Sequence, residues 1–348
     1  MSRFMIYGAN GYTGRLITRE AVRQGLKPVL AGRNRDALDA MAKEFGLTRR
    51  LFELSRVAET ARNLQDVPLV LNCAGPFSQT CAPMLDSCLA VNAHYLDITG
   101  EISVFEHCHS VHVRAKRQRV IVAPGTGFDV VPTDCVAAML KKTMPDARSL
   151  VLGFEAGGGP SPGTAKTGVE GIAAGGRARI KGEIVEVPLA WKTRDFVRDG
   201  MNRSAVSIPW GDLYTAWVST GIPNIETYMT ASPKAIQRMR WMRHLRPLLR
   251  LSAVQSYLKG RITAKNAGPT EQQRRESASY IWGEVNNARG KGAQLLIRTP
   301  NGYDLTASAA VGMVQHVLKH SGEGGYYTPS QLMGADYVLR LPGVRRIG

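Results

Sequence analysis

The run Arg3-Phe4-Met5-Ile6-Tyr7-Gly8-Ala9-Asn10-Gly11-Tyr12-Thr13-Gly14 decides the fold of this chain. A short apolar segment of strand length leads into glycines at positions 8, 11 and 14, and a helical period follows from Thr13 to Arg23. Strand, glycine-rich turn and helix in that order open the kind of βαβ unit that cradles a dinucleotide. Glycine permits the tight turn, the close approach of backbone to a pyrophosphate, and contact between helix and sheet. The N-terminus of the helix then presents unpaired N–H groups and a positive dipole end to the phosphates. The middle glycine stands three residues after the first rather than two, so the residues downstream have to complete the signature.

The second apolar segment, Pro28 to Ala31, runs into Gly32-Arg33-Asn34, which places Arg33 19 residues beyond Gly14. A site built for NAD carries a carboxylate there to hold the ribose 2′-hydroxyl. An arginine predicts NADP instead, because a guanidinium can bond a 2′-phosphate through two parallel N–H groups while its plane lies on the adenine. A solvated arginine at a helix start is the structural alternative. Nucleotide contacts are expected from Gly8, Asn10, Gly11, Tyr12, Thr13 and Gly14, from Arg33 and Asn34, and from a later loop, Cys73-Ala74-Gly75-Pro76-Phe77.

Short apolar runs alternate with helical periods through the first third of the chain. Strands are expected at Arg3 to Tyr7, Pro28 to Ala31, Arg50 to Leu54, Leu69 to Asn72, His94 to Asp97 and Val120 to Ala123. Helices are expected near Thr13 to Arg23, Arg35 to Phe45, Ala58 to Leu64, Thr80 to Val91 and Ile102 to Lys116. This is the pattern of an α/β fold with a doubly wound parallel sheet. After Pro132 the rhythm changes. Glycine-rich loops at 157–163 and 175–176 separate strand-like segments at Arg179 to Pro188 and Val206 to Pro209, and helices return at Leu305 to Lys319 and Pro329 to Leu339.

The chain of 348 residues is 44% hydrophobic and 21% charged, ordinary globular values at a length that suits two domains. It holds no apolar run long enough to span a bilayer, and Met1 to Ala9 lacks the zones of a secretory signal, so a soluble cytoplasmic protein is expected. Five cysteines without paired metal spacing read as reduced thiols. Of the formal charge of +17, nine Lys and Arg residues between Thr227 and Thr270 contribute +9 with no Asp or Glu among them, leaving +8 spread thinly. That distribution argues against a nucleic-acid footprint. Within the window, Ile236, Met239, Met242, Leu245 and Leu249 recur at helical spacing beside Arg238, Arg243, Arg246 and Arg250, with Pro247 set to divide the helix. Two readings stand for Lys234 to Arg250: a face for an anionic membrane or an acyl carrier, which would also suit a non-catalytic nucleotide-binding protein, or a helix packed by Met and Leu with its arginines in water.

If NADPH is the cofactor, hydride passes to an electrophilic carbon and the protein must place the substrate and supply a proton. Tyr95, Asp97, Glu101, Asp129, Asp134 and Lys166 are the candidates, with Tyr95, Asp129 and Lys166 taken as catalytic. Asp97 and Glu101, four apart at a strand-to-helix junction, also read as helix caps, and Asp134 as a first-turn carboxylate facing a helix dipole. No Tyr-x-x-x-Lys occurs, so the proton relay of short-chain dehydrogenases is not supported. His107, Cys108, His109 and His112 lie on one helical stretch where only His109 and His112 share a face, and no metal is expected. Trp191, Trp210, Tyr214, Trp217 and Tyr228 could line an apolar substrate pocket or simply fill a core.

Taken together, these loops resemble the saccharopine dehydrogenase-like family, in particular its bacterial members and the mycobacterial trans-acting enoyl reductases. The resemblance rests on Gly8 to Gly14, Ala31 to Asn34, Asn72 to Phe77, Tyr95 to Glu101, Gly125 to Asp134 and Gly163 to Thr167, with Ile208 to Asp212 and Gly334 to Asp336 further on. It implies a Rossmann domain over residues 1–132 and 305–348 with returning C-terminal helices, and an inserted α+β substrate and dimerisation domain over 133–304. It also implies NADP(H), a homodimer, and hydride transfer to an imine or an enoyl, lipid-like acyl substrate, without implying saccharopine.

Overall fold

The computed structural model describes residues 3–198, 201–249, 251–265 and 268–347; Arg250 therefore lies outside the described residues. The chain divides into two compact units, Met1–Val131 with Tyr303–Pro342, and Pro132–Gly302 with Gly343–Gly348.

The chain opens with β1 (Met5–Tyr7), α1 (Tyr12–Arg23), β2 (Val29–Gly32), α2 (Arg35–Phe45), β3 (Arg49–Leu51), α3 (Val57–Arg62), β4 (Leu69–Asn72), α4 (Phe77–Ala90), β5 (His94–Asp97), α5 (Ile102–Ser110), α6 (His112–Arg117) and β6 (Ile121–Ala123). It continues through α7 (Val131–Thr143), β7 (Ala147–Glu155), α8 (Pro162–Ala174), β8 (Gly176–Ile180), β9 (Glu183–Val187), β10 (Thr193–Arg198), β11 (Met201–Ser207), α9 (Asp212–Thr220) and β12 (Asn224–Thr230). Then follow α10 (Pro233–Met242), a 3-10 turn (Arg243–Leu245), α11 (Arg246–Leu249), α12 (Ser252–Lys265), α13 (Glu271–Glu276), β13 (Ala278–Asn287) and β14 (Gly292–Pro300). The last elements are α14 (Gly302–Lys319), β15 (Gly325–Tyr326), α15 (Pro329–Met333), a 3-10 turn (Tyr337–Arg340) and β16 (Arg345–Arg346).

In the first unit seven strands form one sheet in the order β15-β6-β5-β4-β1-β2-β3, and every pairing is parallel. The order runs outward from β1 in both directions, the doubly wound arrangement. Central strands of such a sheet are covered on both faces, which explains why Met5, Ile6, Tyr7 and all of Leu69–Asn72 are buried without alternation. The chain crosses from one half to the other between β3 and β4, so the loops after β1 and β4 meet at the point where the winding reverses, the place where open α/β sheets bind ligands.

The second unit is built on a mixed sheet ordered β10-β11-β12-β7-β13-β14-β16, with the β8–β9 hairpin attached through β12. Only β12 and β7 run parallel. Val151, Ala205 and Tyr228 form one buried cluster, with Phe196 and Trp282 packed on it. Gly153 makes room for that packing: a β-carbon there would lie 2.1 Å from the ring of Trp282, its neighbour across the strands.

Several sequence expectations change. The helix foreseen from Ile102 to Lys116 breaks at Val111, where His112 turns its Nδ1 to accept the backbone N–H of Tyr326 at 3.1 Å. The helix foreseen from Pro329 to Leu339 stops at Met333, because Gly334 adopts φ +90, and a 3-10 turn takes over. The helix from Ile236 to Leu249 is divided by the 3-10 turn at Arg243–Leu245, one turn ahead of Pro247, whose ring would clash with the carbonyl four residues back. No seventh strand was foreseen in the first sheet; β15 is two residues long, too short for a periodic signal. In the second unit the central strands β7, β12, β13 and β14 were not foreseen. Among the described residues no helix is long and apolar enough to cross a membrane.

Candidate active site

β1 and β4 run in register, Tyr7 opposite Asn72, and the Cys73 N–H donates to the Tyr7 carbonyl at 2.7 Å. On the other side, the N–H groups of Gly8 and Ala9 both reach the Ala31 carbonyl, at 2.8 and 3.2 Å. The glycine loop is therefore clamped between the ends of two neighbouring strands. Gly8 has φ +79, and a β-carbon on it would stand 2.7 Å from the Ala74 nitrogen; one on Gly14 would stand 2.4 Å from the Gly8 oxygen. Both are contacts between backbones, which cannot give way. Gly11 is the N-cap of α1, offers no side chain to the first turn, and no acidic residue lies in that turn. The positive end of a twelve-residue helix is thus left for an anion supplied from outside.

Arg33 leaves the end of β2 exposed and makes no hydrogen bond or ion pair among the described residues. Asn10 sits over the same strand end: its Oδ1 is 3.2 Å from where a β-carbon on Gly32 would be. Asn34 spends its side-chain oxygen on the Ala37 N–H as the N-cap of α2, leaving its amide N–H group for other partners. Tyr12 and Thr13 open α1, the ring of Tyr12 meeting that of Tyr303 edge-on at 4.9 Å.

Behind the loop lies a polar hub. Asn72, fully buried, accepts the Ala74 N–H at 3.1 Å and donates to Thr80 at 3.2 Å and to the Tyr95 hydroxyl at 3.4 Å. Thr80 in turn donates to the Ala74 carbonyl at 2.6 Å, so the Ala74 segment is held from two directions. The Tyr95 hydroxyl in turn donates to Asp97 Oδ2 at 2.8 Å. The other oxygen of Asp97 accepts the N–H groups of Thr99 at 3.0 Å and Gly125 at 2.9 Å. One buried carboxylate thereby fixes the ends of β4, β5 and β6. Burial pushes it up to about 6, against the pull of the two backbone N–H donors and the Tyr95 hydroxyl.

Tyr95 does not fill the role of a proton donor in contact with substrate. The pleat of β5 turns it into the interior, where it has no exposed surface, and burial, then the charge of Asp97, push its phenol well above the usual range. It positions Asp97 instead. Cys73 keeps some open surface, but its thiol is likewise pushed up, by burial first and by Asp97 second.

Asp97 and Glu101 are expected to include a helix cap, and Glu101 provides one, though not for the helix it precedes. Its two carboxylate oxygens accept the N–H groups of Phe77 at 2.9 Å and Ser78 at 2.8 Å, the first turn of α4. Asp129 packs beside it: a β-carbon on Gly100 would lie 3.3 Å from Asp129 Oδ2. Burial, and next the negative charge of Glu101, push the Asp129 carboxyl up to about 7. The loop carrying Asp129 is fixed by Thr126, whose N–H and hydroxyl both bond the Asp97 carbonyl at 2.7 Å, and by the Phe128 N–H donating to Thr306 at 2.9 Å. Asn72 and Thr126 belong to loops singled out from the sequence but carry no role of their own there, and Thr80 and Thr306 were not singled out; Thr306 lies 178 residues from its partner, beyond any local pattern.

Other candidates fall elsewhere. Asp134 stands in the first turn of α7, as expected, and accepts the Ser219 hydroxyl at 2.6 Å. Lys166 belongs to the second unit, half-buried on α8. The aromatic residues of that unit do not line one pocket: Trp210 packs on Phe154, Tyr214 and Trp217 flank the Arg179 guanidinium, Trp191 lies under the Lys192 ammonium, and Tyr228 sits in the sheet against Trp282. In the first unit His109 stacks on Tyr326 at 4.6 Å. Cys81, Cys108 and Asp97 place potential ligand atoms within 4.8 Å of one another, but both Asp97 oxygens are already engaged.

Part of this chain is similar to known proteins. Residues 4–122 match the family model of the saccharopine dehydrogenase NADP binding domain. Over these residues the first unit is similar to that domain. The chain is similar to the saccharopine dehydrogenase-like oxidoreductase of Mus musculus, 25% identical over 190 residues, covering 48% of this chain and 42% of the relative. A probable mitochondrial saccharopine dehydrogenase-like oxidoreductase of Arabidopsis thaliana is 29% identical over 147 residues, 37% of this chain and 32% of that protein. The chain thus matches less than half the length of these relatives. Apo saccharopine dehydrogenase (L-Glu forming) from Saccharomyces cerevisiae superposes over 100% of both chains with a TM-score of 0.64 at 8% identity, a likeness of fold. The matched domain contains the glycine loop, Arg33, the Asn72–Phe77 loop and the Tyr95–Asp97–Glu101 hub.

Proposed function

We propose that this chain is an NADP(H)-dependent oxidoreductase that transfers hydride to an imine or an enoyl, acyl-type substrate. The observation that carries the nucleotide part is the cradle: Gly8 and Gly14 admit no β-carbon, α1 starts without a side-chain cap, and an unpaired arginine stands where the 2′-phosphate of NADP would come. The phosphates would rest on the Gly8–Gly14 turn with Asn10 and Thr13 at its rim. Arg33 and Asn34 would take the adenosine end, and the Cys73–Phe77 segment the middle of the cofactor. Bound there, reduced nicotinamide supplies the hydride.

What the chain itself contributes is a proton. Accepting hydride leaves the substrate with a developing negative charge, on nitrogen for an imine and beside the carbonyl for an enoyl thioester, and a neighbouring acid must neutralise it. Asp129 is the group suited to that task. Its carboxyl, pushed up to about 7, holds a proton near neutral pH, and the Thr126 and Thr306 contacts fix its loop at the open ends of the strands. Lys166, on α8 of the second unit, is a separate candidate for holding a carboxylate or phosphate group. A homodimer in the cytoplasm completes the reading.

Titrating the purified chain with NADPH and NADH tests the first step, and following loss of reduced nicotinamide against imine and enoyl-thioester panels tests the second. Binding of neither nucleotide would end the proposal; binding without turnover of either class would confine it to the cofactor.

A further inference from the structure

We infer that the face formed by α10, the 3-10 turn at Arg243–Leu245, α11 and α12 docks the second unit onto an anionic phospholipid surface. The inward side of this segment is already accounted for. Ile236 is buried and, with Met239, packs on Ala190 and Val206. Arg246 is committed too, its Nε donating to the Ala173 carbonyl at 3.2 Å, one terminal nitrogen to Ala174 at 2.5 Å, and another paired with Glu186. Only the first part of the apolar stripe read from the sequence therefore faces the core.

Beyond Met239 the stripe members Met242 and Leu249 are half-buried, while other apolar side chains are exposed. Trp241 is 62% exposed, Leu248 and Leu251 54% each, and Tyr257 61%, with Leu245 at 37%. These five, within seventeen residues, make up nearly half of the exposed large hydrophobics among the described residues. A helix that simply carried its arginines in water would not expose them together. Around them Lys234, Arg238 and Arg243 are exposed, and no Asp or Glu occurs between Thr227 and Thr270.

Charge and chemistry select the occupant. A second copy of this chain meeting the face by two-fold symmetry would set the exposed Lys234, Arg238 and Arg243 against their own copies. An anionic bilayer complements it on both counts. Leucines enter the acyl boundary, the rings of Trp241 and Tyr257 with their polar edges suit the headgroup level, and Lys and Arg meet the phosphates.

The test is co-sedimentation of the full chain with vesicles of phosphatidylcholine alone and of phosphatidylcholine containing about 30% phosphatidylserine, at low and high salt. Binding is expected on the anionic vesicles, at least tenfold weaker on neutral ones and reduced by salt. It should fall tenfold or more in Arg238→Glu/Arg243→Glu and, separately, in Leu248→Ser/Leu251→Ser. The vesicle-induced blue shift of tryptophan fluorescence should vanish in Trp241→Phe. Because these side chains are exposed, circular dichroism and the unfolding temperature of each variant should match the parent chain. No binding, equal binding to both vesicle types, or variants that bind as the parent does would overturn the proposal. So would retention on immobilised polyglutamate without vesicle binding, which would assign the face to an acidic protein. None of these outcomes depends on nucleotide binding.

Discussion

The backbone nitrogen of Ala74 stands 2.7 Å from where a β-carbon on Gly8 would be, so the loops after β1 and β4 meet backbone to backbone. With φ +79 at Gly8 added, Gly8→Ala carries both a conformational and a steric penalty, together about 2 to 4 kcal/mol of stability. Dinucleotide affinity should fall at least tenfold as the cradle is pushed open. Gly46→Ala is the control: φ there is also positive, +64, but nothing lies within 4 Å, so it should cost about 1 kcal/mol and leave binding unchanged. Urea unfolding and calorimetry on both variants would show whether the close approach matters; equal behaviour would mean it does not.

Tyr95→Phe removes the hydroxyl that joins Asn72 to Asp97 and leaves a buried carboxylate short of one donor. The expected loss is about 1 to 3 kcal/mol of stability. Because Tyr95 has no exposed surface, KM for substrate should change little while kcat falls modestly through a looser Asp97. A loss of all turnover in a stably folded Tyr95→Phe would return the residue to the chemistry.

The carboxyls of Asp97 and Asp129 are pushed up to about 6 and about 7 from an ordinary 3.8. Between those values the folded protein holds protons that the unfolded chain has released. The stability this gives is full below about pH 4 and is lost as pH rises through 6 and then 7. The unfolding temperature should therefore decline between about pH 5 and pH 8, and less steeply in Asp129→Asn. A rise across that range in the parent chain would contradict the assignment.

If Asp129 is the proton donor, kcat/KM for the reductive direction should fall as pH passes about 7, since only the protonated carboxyl can donate. Glu101 helps hold that proton, so Glu101→Gln should move the midpoint to lower pH while the amide oxygen still accepts from α4. An unmoved pH profile would show that the charge of Glu101 is not felt by the reacting acid.

The glycine cradle of the candidate site was legible in the sequence because it is local. Gly8, Gly14 and Arg33 lie within one strand–helix–strand unit whose spacing the chain itself displays. The surroundings of Asp129, the proposed acid, were only partly legible. Asp129 stood out as a polar residue on a glycine-rich loop, but the partners that set its loop, Thr126 through Asp97 and Phe128 through Thr306, are joined only by folding. Tyr95 misled for the same reason: β5 is covered on both faces, and the residues that meet the Tyr95 ring, Cys81 of α4 and Cys108 of α5, are brought to it only by folding. In the second unit β13 pairs with β14 through a short hairpin but with β7 across a long sequence separation, and single strands of a mixed sheet give weak periodic signals.

The most direct test of the central claim is calorimetric titration of the parent chain and Arg33→Asp with NADPH and with NADH. The account predicts that the parent binds NADPH more tightly than NADH, and that Arg33→Asp loses about 2 to 4 kcal/mol toward NADPH while its affinity for NADH is kept or improved. Equal binding of the two nucleotides by the parent chain, or an unchanged preference in the variant, would contradict it.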